Sequence, residues 1–313
     1  PKLKYNDYTG YYQIGNWKWR AWKRGGHGAT DMKKSLVESA NTYYYKFSDQ
    51  IGYAPIVKTA RDFGLGNITG IDVPGEKKGI IPDPDWKKKR TKTVWYRGDT
   101  ILLSIGQGFT LVTPIQLAKA YTFLANKGWA YEPHVVSKIE DLQTGKIETV
   151  TTQKTVIEDY PKSYYDIIND ALIATVDQNN GTTRIMRNPY VKVAAKSGSA
   201  QNPHSKLTHA WVAGYFPADK EPEVVFVCLL EGAGGGGVMA GGMAKRFLDK
   251  YLEVEKGIVP VQNTPHTEPK TTNSTIQTNG NQENESSGEG IGEERENEER
   301  ETGETNTVEE QQN

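Results

Sequence analysis

The spacing of apolar residues along the chain predicts helices in its middle and strands near its end. Apolar positions three and four residues apart favour helices at 30–37, 41–51, 55–64, 114–128 and 164–176. An apolar run that turns polar at 193–201, followed by two runs with β-branched and aromatic residues at 209–215 and 224–230, favours three consecutive strands. A last helix is predicted around Met243, Phe247 and Tyr251. Helices gathered ahead of strands, instead of alternating with them, are typical of an α+β fold.

Local signals place the ends of some elements. Thr30 and Thr113 are predicted N-caps, and Pro114 suits the first helical position. Tyr44, Phe47 and Ile51 are expected along one face of the second helix. Residues 1–26 are aromatic and basic with little periodicity, which predicts an irregular, packed segment, and residues 65–96 predict a long loop with short strands. A hairpin is expected around Thr144-Gly145.

The charge of the chain is divided unequally between a body and a tail. Residues 262–313 contain 13 Glu and only 3 Lys or Arg, whereas the whole chain of 313 residues has a net charge of −1. The body is therefore basic, which suits an acidic partner. The tail is polar and has few aliphatic residues, so it cannot bury enough apolar area to fold. We expect an ordered domain at 1–255 and a disordered acidic tail at 256–313.

Several classes of protein are disfavoured by composition. The single cysteine, Cys228, lies in an apolar strand, which excludes an internal disulfide and predicts a buried thiol. No apolar run approaches the ~18 residues that a membrane-spanning helix needs. The basic run at Lys87-Lys88-Lys89-Arg90 is best explained as a solvated surface, and no segment matches a nucleic-acid-binding module.

The strand at 193–201 carries the most suggestive chemistry. It turns polar at Lys196, and the hydroxyls of Ser197 and Ser199 flank Gly198. If this strand lies at a sheet edge, Gly198 would let another backbone approach and pair with it. The cation and hydroxyls beside that gap would suit the carboxylate at the end of a peptide. An ordinary edge lysine that discourages aggregation is the alternative for Lys196.

Seven sequence blocks then resemble, in order, the transpeptidase domain of class B penicillin-binding proteins of the elongation type. One such block would be weak evidence, but seven over residues 8–253 are strong. They are Gly25-Gly26-His27-Gly28, Ser39-Ala40-Asn41, Thr69-Gly70-Ile71-Asp72, Trp95-Tyr96-Arg97-Gly98-Asp99-Thr100, Ser104-Ile105-Gly106-Gln107-Gly108, Thr113-Pro114-Ile115-Gln116-Leu117-Ala118 and Lys196-Ser197-Gly198-Ser199-Ala200-Gln201. The resemblance implies the penicillin-binding, serine β-lactamase-like fold, an antiparallel sheet flanked by helices.

The resemblance also implies roles for individual residues. Two of the three family motifs, Ser-x-Asn and Lys-Thr/Ser-Gly-Thr/Ser, match 39–41 and 196–199. Ser39 would be a proton-relay partner, Asn41 would contact substrate or the active-site lysine, and Lys196 would supply positive charge. Ser197 and Ser199 would bind the substrate carboxylate, Gly198 would leave room for substrate, and the N–H of Ser199 would form half of an oxyanion hole. Gln201, at the end of the block that begins with Lys196, would be a further substrate-binding residue. Helix capping by Ser39 or Asn41 remains an alternative.

The first family motif, Ser-x-x-Lys, is absent, since no serine in the sequence is followed three residues later by lysine. The chain also begins with Pro1. We therefore expect it to be a fragment, N-terminally truncated, whose nucleophile, general-base lysine and opening strands lie upstream. Alone it would be inactive in acyl transfer.

A zinc site occurs in some relatives, built from two Asp, a His and a Cys. His27 matches the histidine, but Ala21 and Ala40 stand where an Asp and the Cys would be, and Asp7 is an uncertain match for the other Asp. We expect no metal and no cofactor.

The implied function is a peptidoglycan D,D-transpeptidase that cross-links stem peptides ending in D-Ala-D-Ala during cell elongation and is inhibited by β-lactams. Expected partners are a glycosyltransferase of the SEDS class and the elongation machinery, with no nucleic acid. The expected location is the bacterial envelope, at the periplasmic face of the inner membrane. The alternatives are a non-catalytic remnant that binds wall precursors or serves as a scaffold, a D,D-carboxypeptidase, and a β-lactam sensor.

Overall fold

The computed structural model describes residues 3–202 and 207–259. The helices in this range are α1 Met32–Val37, α2 Asn41–Ile51, α3 Tyr53–Asp62, α4 Pro84–Thr91, α5 Arg97–Leu103, α6 Pro114–Ala125, α7 Lys162–Asp177 and α8 Met239–Lys256, with a 3-10 turn at Arg184–Met186. The strands are β1 Tyr5–Asp7, β2 Tyr11–Ile14, β3 Trp17–Arg20, β4 Gly28–Thr30, β5 Trp129–Tyr131, β6 Lys138–Glu140, β7 Ile147–Thr149, β8 Lys154–Val156, β9 Ala194–Ala200, β10 His209–Phe216 and β11 Val224–Leu230.

The three consecutive strands β9, β10 and β11 form one antiparallel sheet in the order β11-β10-β9. Lys196 pairs with Ala213 and Gly198 with Trp211 on β10. In the described residues β9 has no second neighbouring strand, so the predicted edge position of the Lys-Ser-Gly-Ser segment is confirmed. Its outer side pairs with no described strand, which leaves room for an added strand, although side chains already donate to the carbonyls of Ser197 and Ser199.

The sheet is packed on both faces, and alternation along β9 decides which residue faces which layer. Val193 and Ala195 belong to a core cluster with Ala244 and Leu248 of α8. Ala194 between them belongs to a second cluster, with residues of α6 and α7. Lys196, two residues after Ala194, therefore extends from the face of the sheet that packs against α6 and α7.

The sequence predictions for the first residues and for the 65–96 region are wrong in part. Residues 5–20 contain strand β1 and the hairpin β2–β3, whose two-residue loop is Gly15-Asn16, a known hairpin signal. Helix α4 lies inside the predicted loop, with Pro84 at its start and Asp83 as its N-cap. The expected hairpin around Thr144-Gly145 is confirmed as β6–β7.

Smaller corrections concern caps and burial. Asp31, not Thr30, caps α1, since its carboxylate accepts a hydrogen bond from Lys34 N. Helix α2 buries Thr42, Tyr43, Tyr45 and Ser48, while Ile51 is 57% exposed. This burial arises because α2 packs against both α5 and the N-terminal strands. Cys228 is half-buried, not buried.

Two further expectations concern membrane-spanning segments and the acidic tail. None of the helices among the described residues combines the length and the apolarity needed to cross a bilayer. Helix α8 ends at Lys256, and the predicted acidic tail lies, from residue 260 onward, outside the described residues. The division of the chain at residue 255 stays a prediction.

A buried threonine connects the layers next to β9. The hydroxyl of Thr175 on α7 lies 2.8 Å from Leu172 O, 2.5 Å from Ala195 O and 2.6 Å from the hydroxyl of Thr183. It thereby fixes β9 and the loop after α7 to the same helix, just ahead of Lys196.

We predict that Thr175→Val destabilises the protein by about 1–3 kcal/mol, because a buried hydroxyl and a buried carbonyl lose their partner. Thr175→Ser, which keeps the hydroxyl, is the matched control and should retain most of that stability. Urea unfolding of both variants measures the difference. Equal stability of the valine variant and the wild type would contradict the role assigned to Thr175.

Candidate active site

A polar cavity of about 1060 Å³ lies between β9, the start of α2 and the loop after α7. Its lining includes Ser39, Asn41, Ser197, Gly198 and Ser199, which are five of the seven predicted site residues. A more apolar cavity of about 580 Å³ lies among α3, α6 and α7. Because chemistry on a peptide needs polar groups that converge, we assign the candidate site to the polar cavity.

Lys196 joins the two predicted motifs. Its Nζ donates to Ser39 Oγ at 2.9 Å and to the carbonyl of Ser197 at 2.9 Å. No ion pair to Lys196 is found among the described residues. Desolvation of the uncompensated ammonium lowers the pKa of Lys196 to about 8. Near neutral pH the side chain is thus mostly charged but able to exchange a proton.

The backbone around Ser39 explains how its hydroxyl reaches Lys196. Ala40 N donates to Ser35 O at 2.8 Å and Ser39 N to Leu36 O at 3.3 Å, which is a Schellman motif closing α1. Glycine is usual at the left-handed position of this motif, but here Ser39 occupies it with φ of +53°. This conformation costs on the order of 1 kcal/mol. It places a hydroxyl at the turn between α1 and α2, where a glycine would place none.

The hydroxyls of β9 meet a glycine-rich segment that precedes α8. Gly236 N donates to Ser199 Oγ at 3.0 Å, and a Cβ added to Gly236 would lie 2.0 Å from Gly198 O. By contrast, a Cβ added to Gly198 would meet only the Cβ of Trp211, at 3.5 Å. The tight approach at this point therefore requires glycine at Gly236 more than at Gly198.

The remaining predicted residues are less closely engaged. Asn41 lines the cavity. Gln201 is exposed just beyond β9, next to the undescribed residues 203–206. Its substrate-binding role stays a prediction, as do the roles of the other site residues. Gln107, from another of the sequence blocks, donates to Ser199 O at 3.3 Å.

A buried carboxylate, Glu38, stands immediately before Ser39. It lies 2.8 Å from His27 Nδ1 and accepts from Asn180 Nδ2 at 2.9 Å, with Lys23 Nζ at 3.4 Å. Burial alone raises the pKa of Glu38, but the hydrogen bonds from His27 and Asn180 and the charges of Lys23 and Lys34 outweigh it and hold that pKa below its usual range. Glu38 thus ties the Ser39 turn to the loop after α7.

A second buried carboxylate, that of Asp7 on β1, holds the turn at residues 25–28 in place. Asp7 accepts from Gly10 N at 2.8 Å, from His27 N at 3.3 Å and from Thr42 Oγ1 at 2.7 Å. A Cβ added to Gly26 would overlap the Asp7 side chain, so glycine is required there. Asp7 therefore holds the 25–28 turn against the first turn of α2.

Comparison with known proteins decides the family. Residues 1–250 match the model of the penicillin binding protein transpeptidase domain. The chain belongs to this transpeptidase family.

Relatives of the transpeptidase domain narrow the assignment. It is 36% identical to the peptidoglycan D,D-transpeptidase MrdA of Haemophilus influenzae, over 81% of this chain and 42% of the relative. It is 34% identical to MrdA of Escherichia coli K12, over 75% of this chain and 39% of the relative. The chain thus spans about four tenths of the length of these relatives.

Solved structures agree with this assignment. PBP2 of Pseudomonas aeruginosa, in complex with WCK 5153, superposes with a TM-score of 0.72 at 30% identity, covering 85% of this chain and 59% of that one. PBP2 of Helicobacter pylori, in complex with MreC, gives a TM-score of 0.71 at 28% identity, covering 82% and 46%. The predicted fold and the resemblance to class B penicillin-binding proteins of the PBP2 type are confirmed.

The transpeptidase domain does not offer a fitting set of zinc ligands at His27. Its Nδ1 is engaged by Glu38, and Ala21 and Ala40 carry no donor atoms. Among the described residues no group of three or more His, Cys, Asp and Glu side chains is placed to hold a metal ion. A hydrogen-bonded pair occupies this position, so no catalytic step is assigned to a metal.

Sequence reasoning missed several parts of the candidate site. Trp22 lines the cavity, and its indole N–H lies 3.1 Å from Glu38 O and 3.2 Å from Ser39 O. Arg184 and Arg187 also line the cavity, near Asn180. The sequence Asn180-Gly181 indicates only the end of a helix, and no local spacing distinguishes Trp22 from the other aromatic residues of residues 1–26.

We predict that Glu38→Gln destabilises the transpeptidase domain by about 2 kcal/mol at neutral pH, because an amide presents a donor to groups that need an acceptor. Since the folded-state pKa of Glu38 is lowered, its contribution is present above the ordinary glutamate value and is lost as the pH falls through the folded value. The stability difference between wild type and variant, followed by urea unfolding from pH 7 to pH 3, should therefore shrink with acid.

Glu148→Gln, at an exposed ion pair with Lys146, is the control and should change stability by less than about 0.5 kcal/mol. A Glu38→Gln variant as stable as wild type at pH 7 would disprove the bridging role.

We also predict that Gly236→Ala destabilises the domain by about 1–3 kcal/mol, because its Cβ would overlap Gly198 O and displace the segment from Ser199. Gly235→Ala is the neighbouring control, since an added Cβ there meets nothing within 4 Å. Urea unfolding of the two alanine variants gives the comparison. Two equal effects would mean that the close approach at Gly236 is not rigid.

Proposed function

We propose that this chain supplies the substrate-binding and proton-relay part of a serine-type peptidoglycan D,D-transpeptidase. The observation that carries the proposal is the 2.9 Å hydrogen bond from Lys196 on the edge strand to Ser39, at a cavity that also exposes Ser197 and Ser199. The substrate is the stem peptide of the cell wall, ending in D-Ala-D-Ala, and β-lactams act as its mimics.

The edge strand provides the binding mode. An extended peptide can add to the free side of β9 through backbone hydrogen bonds. Its terminal carboxylate would then meet the Lys196 ammonium and the hydroxyls of Ser197 and Ser199. Ser199 Oγ accepts from Gly236 N, which leaves its own hydrogen free to donate to that carboxylate.

Lys196 and Ser39 form the relay. With a pKa of about 8, Lys196 can give a proton to Ser39 while the Ser39 hydroxyl passes its own onward. In the full reaction a serine Oγ attacks the carbonyl of the penultimate D-Ala, and the terminal D-Ala leaves as an amine that takes up a proton. An amine of a neighbouring strand then attacks the acyl ester and restores the serine hydroxyl.

None of the serines that line the cavity, Ser39, Ser197 and Ser199, is followed three residues later by a lysine. The 313 residues contain no Ser-x-x-Lys, so the nucleophile and its base would come from a segment outside this sequence. The cavity beside Lys196 would receive it.

The cellular setting follows from the relatives. One similar structure is a complex of PBP2 with MreC, and another belongs to a peptidoglycan synthase complex described as coordinating polymerization and crosslinking. We infer that the protein acts in cell elongation at the periplasmic face of the inner membrane. A glycosyltransferase of the SEDS class and the elongation machinery are its proposed partners.

A second function is favoured by the missing Ser-x-x-Lys. A domain with an intact binding strand and no nucleophile of its own would bind wall precursors without cleaving them, as a scaffold. A D,D-carboxypeptidase or a β-lactam sensor would share the two motifs that are present. Analysis of cross-links in the wall separates the transpeptidase from these alternatives.

Peptide binding tests the proposal directly. Titration of the 313-residue chain, followed by NMR, should show binding of a pentapeptide ending in D-Ala-D-Ala and much weaker binding of its C-terminal amide. Because the charged form of Lys196 holds the carboxylate, affinity should fall as the pH rises through about 8, where the ammonium loses its proton. The weaker binding of the amide should show no such transition.

Lys196→Gln should lose the preference for the free carboxylate, whereas Lys192→Gln, at an exposed pair with Asp177, should keep it. Intact-mass analysis after incubation with fluorescent penicillin should show no covalent adduct on this chain. Equal binding of acid and amide would overturn the proposed recognition, and an adduct would overturn the assignment of the nucleophile to another segment.

A further inference from the structure

One end of the candidate cleft carries two arginines without a carboxylate partner. Arg184 and Arg187 both line the cavity and are exposed, and neither forms an ion pair with any residue in the described ranges. The described lining of the cavity contains no Asp or Glu. This end of the cleft therefore has a local positive charge that no lining side chain neutralises.

Neutral groups hold the two guanidinium groups close to one residue. Arg184 Nη1 donates to Asn179 O at 2.8 Å, and Arg187 Nη2 donates to Asn179 Oδ1 at 3.1 Å. Arg187 Nε also donates to Val176 O at 2.8 Å, at the end of α7. Two like charges tied to the same residue repel each other, and an anion bound between them would relieve that repulsion.

The turn that carries the arginines is firmly anchored. Met186, between them, is fully buried in the core cluster under α8. Ile185 contacts α8 so closely that a Cβ added to Gly241 would lie 2.9 Å from it. The backbone of residues 184–187 is thus held in place, and each guanidinium group still has N–H groups available for a ligand. Holding the backbone lowers the entropy cost of binding that ligand.

Resting on the proposed function, we propose that Arg184 and Arg187 bind a second carboxylate of the stem peptide, one upstream of the terminal D-Ala-D-Ala. A guanidinium offers paired N–H donors that match a carboxylate. The terminal carboxylate is bound at Lys196 and Ser199, so this second group must lie on an earlier residue of the same peptide. Two sources have this chemistry, a carboxylate on the side chain of the third residue and the free α-carboxylate of an isoglutamate at the second.

Synthetic pentapeptides that all end in D-Ala-D-Ala distinguish these sources. The first pair carries diaminopimelic acid or lysine at position three, and the second pair carries isoglutamate or isoglutamine at position two. Each peptide is titrated into the 313-residue chain, and binding is followed by NMR. Removal of the recognised carboxylate should weaken binding about tenfold, the size expected for one charge-assisted pair. Raising the salt concentration should reduce this discrimination.

Variants assign the effect to the arginines. Arg184→Gln should abolish the discrimination between the members of the responsive pair, and Arg187→Lys, which keeps the charge but loses the planar fork, should reduce it. Arg246→Gln, an exposed arginine on α8 outside the cavity, should leave it unchanged. Melting temperatures establish that each variant folds, and the peptide pairs test the wild type without any substitution.

The outcomes separate this inference from the proposed function. If the wild-type chain binds D-Ala-D-Ala peptides but does not distinguish the members of either pair, the second carboxylate site is disproved and the proposed function stands. Discrimination that persists in both Arg184→Gln and Arg187→Lys likewise disproves the assignment to these residues. If no D-Ala-D-Ala peptide binds to the wild type, the proposed function fails, and this inference fails with it.

Discussion

The hydrogen bond between Lys196 and Ser39 is the contact on which the site depends. It joins the edge of the sheet to the turn between two helices, 157 residues apart in the chain. Each side requires its own support. Thr175 fixes β9 to α7 just before Lys196, and the Schellman turn after α1 presents Ser39 in a left-handed conformation. Without either support the ammonium would lose the partner that orients it.

Buried polar groups, more than apolar packing, set the position of the Ser39 turn. Glu38 gathers donors from His27 and Lys23 in the loop before β4 and from Asn180 after α7, so two distant segments converge on one carboxylate. Such a network is specific because each unpaired member would be costly in a buried setting. It also links the Ser39 turn to the loop that carries the two arginines, since Asn180 directly follows Asn179 in sequence.

The electrostatic character of the cleft follows from which charges are compensated. Glu38 and Asp7 are engaged by donors behind the cavity wall, whereas Arg184 and Arg187 line the cavity with no carboxylate opposite them in the described lining. Lys196 reaches this lining through its hydrogen bond to Ser39 and has no ion pair among the described residues. A cleft of this kind suits an anionic peptide and disfavours a cationic one. Its free strand edge adds backbone pairing, which selects an extended ligand.

Sequence by itself determined the α+β class, the helices and strands from residue 32 onward apart from α4, α5 and the shorter strands, and the two motifs of the site, one of them on the edge strand. These features are local or periodic: β-branched and aromatic residues mark β10 and β11, and Thr113-Pro114 starts α6 because capping acts within a few residues. The family blocks at 39–41 and 196–199 also located the two sides of the site.

Only the tertiary structure decided how those sides meet and what else lines the cleft. No local signal shows that Glu38 binds His27 and Asn180, or that Trp22 bonds to the Ser39 turn, because these partners come from separate segments. The same holds for the arginine pair, which Asn179 and the buried Met186 hold in place. Packing between segments that are far apart in the chain sets these contacts, so no local sequence pattern predicts them.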